Sequence, residues 1–209
     1  MKVESCAKIN LGLHVLNRRA DDFHNIVTIF QEISFSDQLT IQQSKKTFFD
    51  TNVDWLDREN NTCIKAINIL KKQYPDLPNF NLFLQKNIPT NAGLGGGSSN
   101  GTATLKAIDK LCDLNLQEEE IKNFSEKISA DSPFFVNGGL QGGEEKGQKL
   151  SPIKSSLIDN YILLVMPDIK VQTSEAFMFI KKYLVKGKTD VKLSQMLEEL
   201  QLNNLSSEL

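Results

Sequence analysis

Between residues 7 and 15 the apolar residues Ala7, Ile9, Leu11, Leu13 and Val15 alternate with Lys8, Asn10, Gly12 and His14. A period of two predicts a half-buried β-strand and puts Lys8 and Asn10 on the same face of it. A charged turn at residues 18–22 follows, then strand candidates at residues 26–35 and 39–42, which reads as an antiparallel opening. Further on the period changes. Ile64, Ile67 and Leu70, behind polar Asn60, Asn61 and Thr62, predict an N-capped amphipathic helix over residues 63–72, ended by Pro75 and Pro78. Residues 81–85 read as a short strand, 88–97 as a loop, and 98–111 as a helix that turns Ala103, Ala107, Ile108 and Leu111 inward. A further helix is predicted over residues 117–128, with Glu118, Glu119 and Glu120 in the first turn, where the helix dipole favours negative charge. Asp131 and Pro133 lie just past its end. Residues 161–166 are a continuous apolar run stopped by Pro167, the pattern of a buried strand in a second layer beginning near residue 151. The last stretch reads as polar helix and tail.

Strand, glycine loop and helix thus follow one another, and the loop carries the chemistry. It reads Pro89-Thr90-Asn91-Ala92-Gly93-Leu94-Gly95-Gly96-Gly97-Ser98-Ser99. The glycines at 93, 95, 96 and 97 let the backbone approach a ligand closely and turn its N–H groups inward. A helix starting near Ser98 adds unsatisfied N–H groups and the positive end of its dipole, and the hydroxyls of Ser98 and Ser99 suit a phosphate or a magnesium ion. A flexible glycine-serine linker has the same composition, but a linker belongs between domains, whereas this segment lies between a strand and an amphipathic helix. No Lys-Ser or Lys-Thr closes the loop as in a Walker A motif, and the dinucleotide-binding glycine spacing is absent.

The composition narrows the class. A chain of 209 residues has room for one α/β domain and a smaller second one, and 40% hydrophobic with 24% charged residues excludes a disordered chain. A formal net charge of -2 gives no global attraction to nucleic acid or to an anionic membrane. No run approaches the length of a spanning helix and the N-terminus lacks a signal-peptide pattern, so the chain reads as cytoplasmic, with neither membrane nor nucleic acid as partner. Cys6, Cys63 and Cys112 are too far apart to suggest a disulfide framework or a zinc site.

The loop at 89–99, the early strand Ala7-Lys8-Ile9-Asn10-Leu11 and the segment Ala130-Asp131-Ser132-Pro133-Phe134-Phe135 together resemble the GHMP kinases. Within that family Arg18-Arg19-Ala20-Asp21-Asp22-Phe23-His24 is similar to the Arg-Arg-x-Asp-Gly-Tyr-His segment of a member acting on a cytidyl diphosphate in non-mevalonate isoprenoid synthesis. The resemblance implies an α/β (α+β) two-domain GHMP kinase fold, with a complete N-terminal ATP-binding domain over 1–150 and a partial C-terminal substrate domain over 151–209. It implies ATP-dependent phosphorylation of a hydroxyl, with ATP and Mg at the glycine loop and a small-molecule cytidyl diphosphate as substrate. Asp131 becomes the general base and Lys8 its electrostatic partner; alone, the one reads as a turn aspartate and the other as a solvated strand lysine. Asn10, Phe23, His24, Thr173 and Phe177 become substrate contacts, with Phe23 and Phe177 as rings that sandwich the base; for each ring core packing is the other reading. Asn61 faces the adenine by the same resemblance, or caps its helix. Ser99 becomes the magnesium ligand.

Three residues near the substrate segment depart from the family pattern: Asp22 and Glu145 stand at glycine positions and Phe23 at a tyrosine position. The family also has a later glycine-rich segment, and nothing in residues 170–209 is similar to it. An incomplete second domain leaves an exposed sheet edge as an expectation. Two alternatives stay open beside the active kinase: a nucleotide-binding homologue with impaired catalysis, and a GHMP kinase of another small alcohol.

Overall fold

The computed structural model describes residues 1–154, 160–166 and 192–199. Those residues form a mixed α/β structure with strands β1 (Lys2–Arg18), β2 (His24–Ser44), β3 (Phe48–Thr51), β4 (Asn79–Gln85), β5 (Leu140–Glu145) and β6 (Lys149–Pro152). Helices α1 (Thr62–Gln73), α2 (Gly96–Cys112), α3 (Glu118–Glu126), α4 (Phe134–Asn137) and α5 (Leu193–Glu199) complete it. The described residues divide into two compact units, one of residues 1–8, 32–90 and 94–138, the other of residues 9–31, 91–93 and the described residues from 139 onward. These units are interleaved along the chain because β1 and β2 are long enough to contribute to both.

In the first unit the C-terminal half of β2 pairs antiparallel with β4, Leu39 opposite Leu84 and Ile41 opposite Leu82, and β3 pairs parallel with β4. Strand β4 alternates strictly: Phe80, Leu82 and Leu84 are buried, while Asn81 and Phe83 face outward. Against the buried face pack Ala66, Ile67 and Leu70 of α1, Leu105 and Ile108 of α2, and Phe124 and Ile128 at α3. Helix α1 starts where the pattern placed it, with the Asn61 side chain accepting from the N–H groups of Cys63 and Ile64. Helix α3 opens with a reciprocal capping box between Gln117 and Glu120.

Residues 26–42 depart from the expectation. The two predicted strands are one continuous strand, because no turn forms at Ser36 and Asp37; the Asp37 side chain is fully buried and takes hydrogen bonds from the segment after β4 and from α2.

In the second unit the N-terminal half of β2 pairs antiparallel with β5, and β5 with β6. Val27, Ile29, Leu140 and Met196 form its core. Leu193 of α5 lies so close to Gly142 that a Cβ there would sit 2.3 Å from the end of its side chain, which would have to move aside for any larger residue. The two departures from family glycines have a common backbone feature: Asp22 and Glu145 both lie in the left-handed region, at φ 64° and 61°, where a glycine carries no steric penalty. Residues 161–166 are not a strand; Tyr161, Leu163 and Val165 are largely exposed. An apolar run signals a need for cover and does not itself supply the neighbouring strand.

Candidate active site

The phosphate loop lies between β4 and α2. Residues 89–93 are exposed, Leu94 is buried, and the chain enters α2 through Gly95 in left-handed conformation, φ 68°. The helix therefore begins at Gly96, two residues earlier than the pattern suggested, and Gly96, Gly97 and Ser98 make its first turn. No side chain caps it, and the first intrahelical bond runs from the Ser99 N–H to the Gly95 carbonyl. This leaves the N–H groups of the first turn and the dipole of a 17-residue helix to meet an anion. A Cβ on Gly97 would meet only Thr62, at 4.0 Å, so this side of the turn is open.

Two distant segments converge on Gly95. The Lys8 N–H donates to the Leu94 carbonyl at 2.9 Å. A Cβ on Gly95 would lie 2.8 Å from the Phe135 ring and 3.0 Å from Cγ of Lys8. Glycine is thus required twice over, for its φ and for the passage of the lysine. The Lys8 side chain, only 7% exposed, ends with Nζ 3.5 Å from a carboxylate oxygen of Asp131, which is 37% exposed. The two residues paired by resemblance are therefore paired in space, at the start of α2.

A chain of hydroxyls positions Asp131. Ser129 Oγ donates to Ser98 Oγ at 2.7 Å and lies 2.7 Å from Ser132 Oγ, while Thr102 Oγ1 donates to the Ser132 carbonyl at 3.0 Å. Asp131 is held between Ser129 and Ser132, so the turn that carries it is fastened to the first turns of α2. Lys106 donates to the Val136 carbonyl at the end of α4, and burial pushes its pKa down. The sequence reading missed Ser129, Ser132 and Thr102, although hydroxyls flanking an aspartate on both sides were a legible sign.

Ser99 is buried and its hydroxyl accepts from Ser5 Oγ at 2.7 Å, while Ser98 is the more exposed hydroxyl of the pair and accepts from Ser129. Among the described residues no group of three His, Cys, Asp or Glu side chains gathers as a metal cage. Asn61 is engaged as the N-cap of α1, with its amide nitrogen donating to the Asp57 carbonyl at 2.9 Å. Asn61 and Thr62 also line one end of an open groove of about 660 Å³ along α1, whose other walls include Ile64, Lys65, Asn68 and Lys127. Thr62 Oγ1 donates to the Gly97 carbonyl at 2.6 Å, which joins that end of the groove to the glycine turn.

In the second unit Asn10 Nδ2 donates to Thr28 Oγ1 at 2.6 Å, and Thr28 donates in turn to the Gly12 carbonyl. The Phe23 ring is 52% exposed, with Lys146 Nζ 5.1 Å from its centroid, and His24 follows it, half-buried. Thr173 and Phe177 lie outside the described residues. Among the described residues no helix is long and apolar enough to cross a membrane.

Comparison with known proteins gives the family. Residues 61–139, from the cap of α1 through the loop and Asp131 to the start of β5, match the GHMP kinases N terminal domain. The chain belongs to the GHMP kinases. A protein of Prochlorococcus marinus (strain MIT 9312), named 4-diphosphocytidyl-2-C-methyl-D-erythritol kinase, is 36% identical over 99% of this chain and 69% of its own length. A protein of the same name from Parabacteroides distasonis is 40% identical over 83% of this chain and 65% of its own. The solved structure of a 4-(cytidine 5'-diphospho)-2C-methyl-D-erythritol kinase is 28% identical and superposes with a TM-score of 0.64, covering 74% of this chain and 56% of the other. The chain thus spans about two thirds of the length of these relatives.

Proposed function

We propose that this chain transfers the γ-phosphoryl group of ATP to a hydroxyl of 4-diphosphocytidyl-2-C-methyl-D-erythritol, a cytoplasmic step towards isoprenoid precursors. The observation that carries the reading is the Lys8–Asp131 pair, 3.5 Å apart beside the uncapped start of α2. The names of relatives at 36% and 40% identity supply the substrate.

The nucleotide fits the loop because its phosphates are anions and the first turn of α2 offers N–H groups at Gly96, Gly97 and Ser98 with no competing cap. The groove that begins at Asn61 and Thr62 suits the adenosine end, with Asn61 contributing its cap geometry more than a free amide. Magnesium, where bound, would supply charge neutralisation to the phosphates, with the Ser98 and Ser99 hydroxyls at the start of α2 as the groups of this chain that would stand nearest to it. The substrate hydroxyl loses its proton to the Asp131 carboxylate as its oxygen attacks the γ-phosphorus and the bond to the ADP leaving oxygen breaks. Lys8, almost fully buried, sets its side-chain nitrogen beside the carboxylate and the transferred group, where the low local dielectric magnifies its effect. Asn10, Phe23 and His24, with Thr173 and Phe177, are the substrate contacts in this reading; the exposure of the Phe23 ring suits stacking on a pyrimidine.

The test is to incubate the chain with ATP and the cytidyl substrate, following ADP release by a coupled assay and the product by ³¹P NMR. Substrate-dependent ADP with one new phosphomonoester resonance is the expected result. ADP formed equally without the cytidyl substrate, or nucleotide bound with no transfer, would refute the reading, and transfer to mevalonate or homoserine in its place would reassign the substrate.

A further inference from the structure

Asp37 is fully buried in the middle of β2, and its carboxylate takes four donors. Oδ1 accepts from the N–H groups of Asn87 and Ile88 at 2.7 and 2.8 Å, and Oδ2 accepts from Lys86 Nζ at 2.5 Å and Asn100 Nδ2 at 2.8 Å. Residues 86–88 are the segment by which β4 enters the phosphate loop, and Asn100 stands on α2, by which the chain leaves it. One carboxylate therefore binds both ends of the loop. A second strand of the same network starts from Asn100: its amide also donates to Ser5 Oγ at 3.0 Å, and that hydroxyl donates to Ser99 Oγ at 2.7 Å.

The charge arithmetic of the site makes this arrangement unusual. A carboxylate beneath an anion-binding turn opposes the anion unless a cation neutralises it. Lys86, only 3% exposed, does so, and its Nζ lies 3.0 Å from where a Cβ of Gly96 would be, directly under the first residue of α2. Burial lowers the Lys86 pKa, and its hydrogen bond and charge interaction with Asp37 work against that loss. A buried ion pair is seldom a better source of stability than apolar residues of the same volume, so its value has to be sought in the geometry it enforces.

We propose that Asp37 is a positioning residue for phosphoryl transfer, clamping the entry and the exit of the phosphate loop so that the N–H groups of Gly96, Gly97 and Ser98 keep a fixed anion-binding geometry beside Lys8 and Asp131. The inference rests on the kinase reading above for the identity of the anion, but the clamp itself exists without it. Asp37, fully buried, acts through Lys86, the two backbone N–H groups and Asn100.

The clamp is opened most gently by Asn100→Ala, which removes the tie to α2, leaves Asp37 with Lys86 and both backbone donors, and suits a helix interior. Asp37→Asn is the harsher variant, because an amide nitrogen cannot accept where two donors point. Three quantities are read on the intact chain: the dissociation constant of ATP and that of the cytidyl substrate by calorimetry, and hydrogen exchange of the amides of residues 94–99 without nucleotide. The expected result for Asn100→Ala is a roughly tenfold weaker ATP affinity, the size of one well-placed buried hydrogen bond, with faster exchange in the loop and an unchanged cytidyl-substrate constant. Asp37→Asn should exceed it on both loop readouts. Wild-type exchange at residues 94–99 in Asn100→Ala would overturn the clamp, as would equal losses for the two ligands, which mark general loosening. If the unaltered chain bound no ATP, the kinase reading would fail, and the exchange measurement alone would decide the clamp.

Discussion

The foundation of the phosphate loop and the β1–β2 turn are built from the same two devices, an ion-paired aspartate and a left-handed residue, with opposite consequences. Asp37 and Lys86 are 2.5 Å apart at 0% and 3% side-chain exposure; Asp22 and Arg18 are 2.7 Å apart at 83% and 50%. The distances are alike, but water screens the second pair and contributes nothing to the first. The left-handed position of the loop is Gly95, hemmed in by Phe135 and Lys8, while that of the turn is Asp22, exposed at the surface. Geometry alone thus does not rank interactions, and what surrounds them does. The loop region should be intolerant of change and the turn tolerant, except where the turn meets substrate.

The largest effect is expected at the edge of the loop region. Asp131→Asn keeps shape but accepts no proton, so turnover should fall by about 10² to 10⁴ while ATP and substrate binding persist. Single-turnover transfer at saturating ligands measures it, and an unchanged rate would remove Asp131 from the mechanism. Gly95→Val should come next. Its side chain has no room beside Phe135 and Lys8, so ATP affinity should fall by at least about 10²-fold in a protein whose circular dichroism stays that of the wild type. A folded Gly95→Val that bound ATP normally would break the contrast drawn above.

In the turn region the effect should be confined to one ligand. Phe23→Ala removes an exposed ring, so the melting temperature should hold while cytidyl-substrate affinity drops by the roughly 1 to 3 kcal/mol of one stacked base. Calorimetry with both ligands checks that ATP is unaffected. The smallest effect is expected for Asp22→Gly, which trades a screened ion pair for a relaxed backbone and should leave stability within about 0.5 kcal/mol of the parent in urea titration. A loss well beyond that would show that the turn is as tightly built as the loop.

Much of this was legible from the chain. The alternation around Lys8, the capped helix after Asn61 and the strand-loop-helix order around Gly95 appear in the structure close to where their periods placed them, because each is a local preference that tertiary packing reinforces. The hairpin of β5 and β6 escaped the reading, since Gly142 and Gly143 break the apolar signature of a strand that depends on close approach to Leu193 and Phe30. Ser98 and Ser99 read alike along the chain, and only the winding of α2 turns one hydroxyl towards Ser129 and the other down onto Ser5.

The sequence by itself determined the class of the protein, its glycine loop and the identity of Lys8 and Asp131 as partners by resemblance, all properties of residue type and local order. Only the tertiary structure decided that Lys8 passes beside Gly95 to reach Asp131, that Ser129 and Ser132 hold that aspartate, and that Asp37 joins the two ends of the loop. The physical reason is burial. Asp37 and Lys86 stand 49 positions apart and read along the chain as two ordinary charges; enclosed together and out of water, they become a single fixed element of the site.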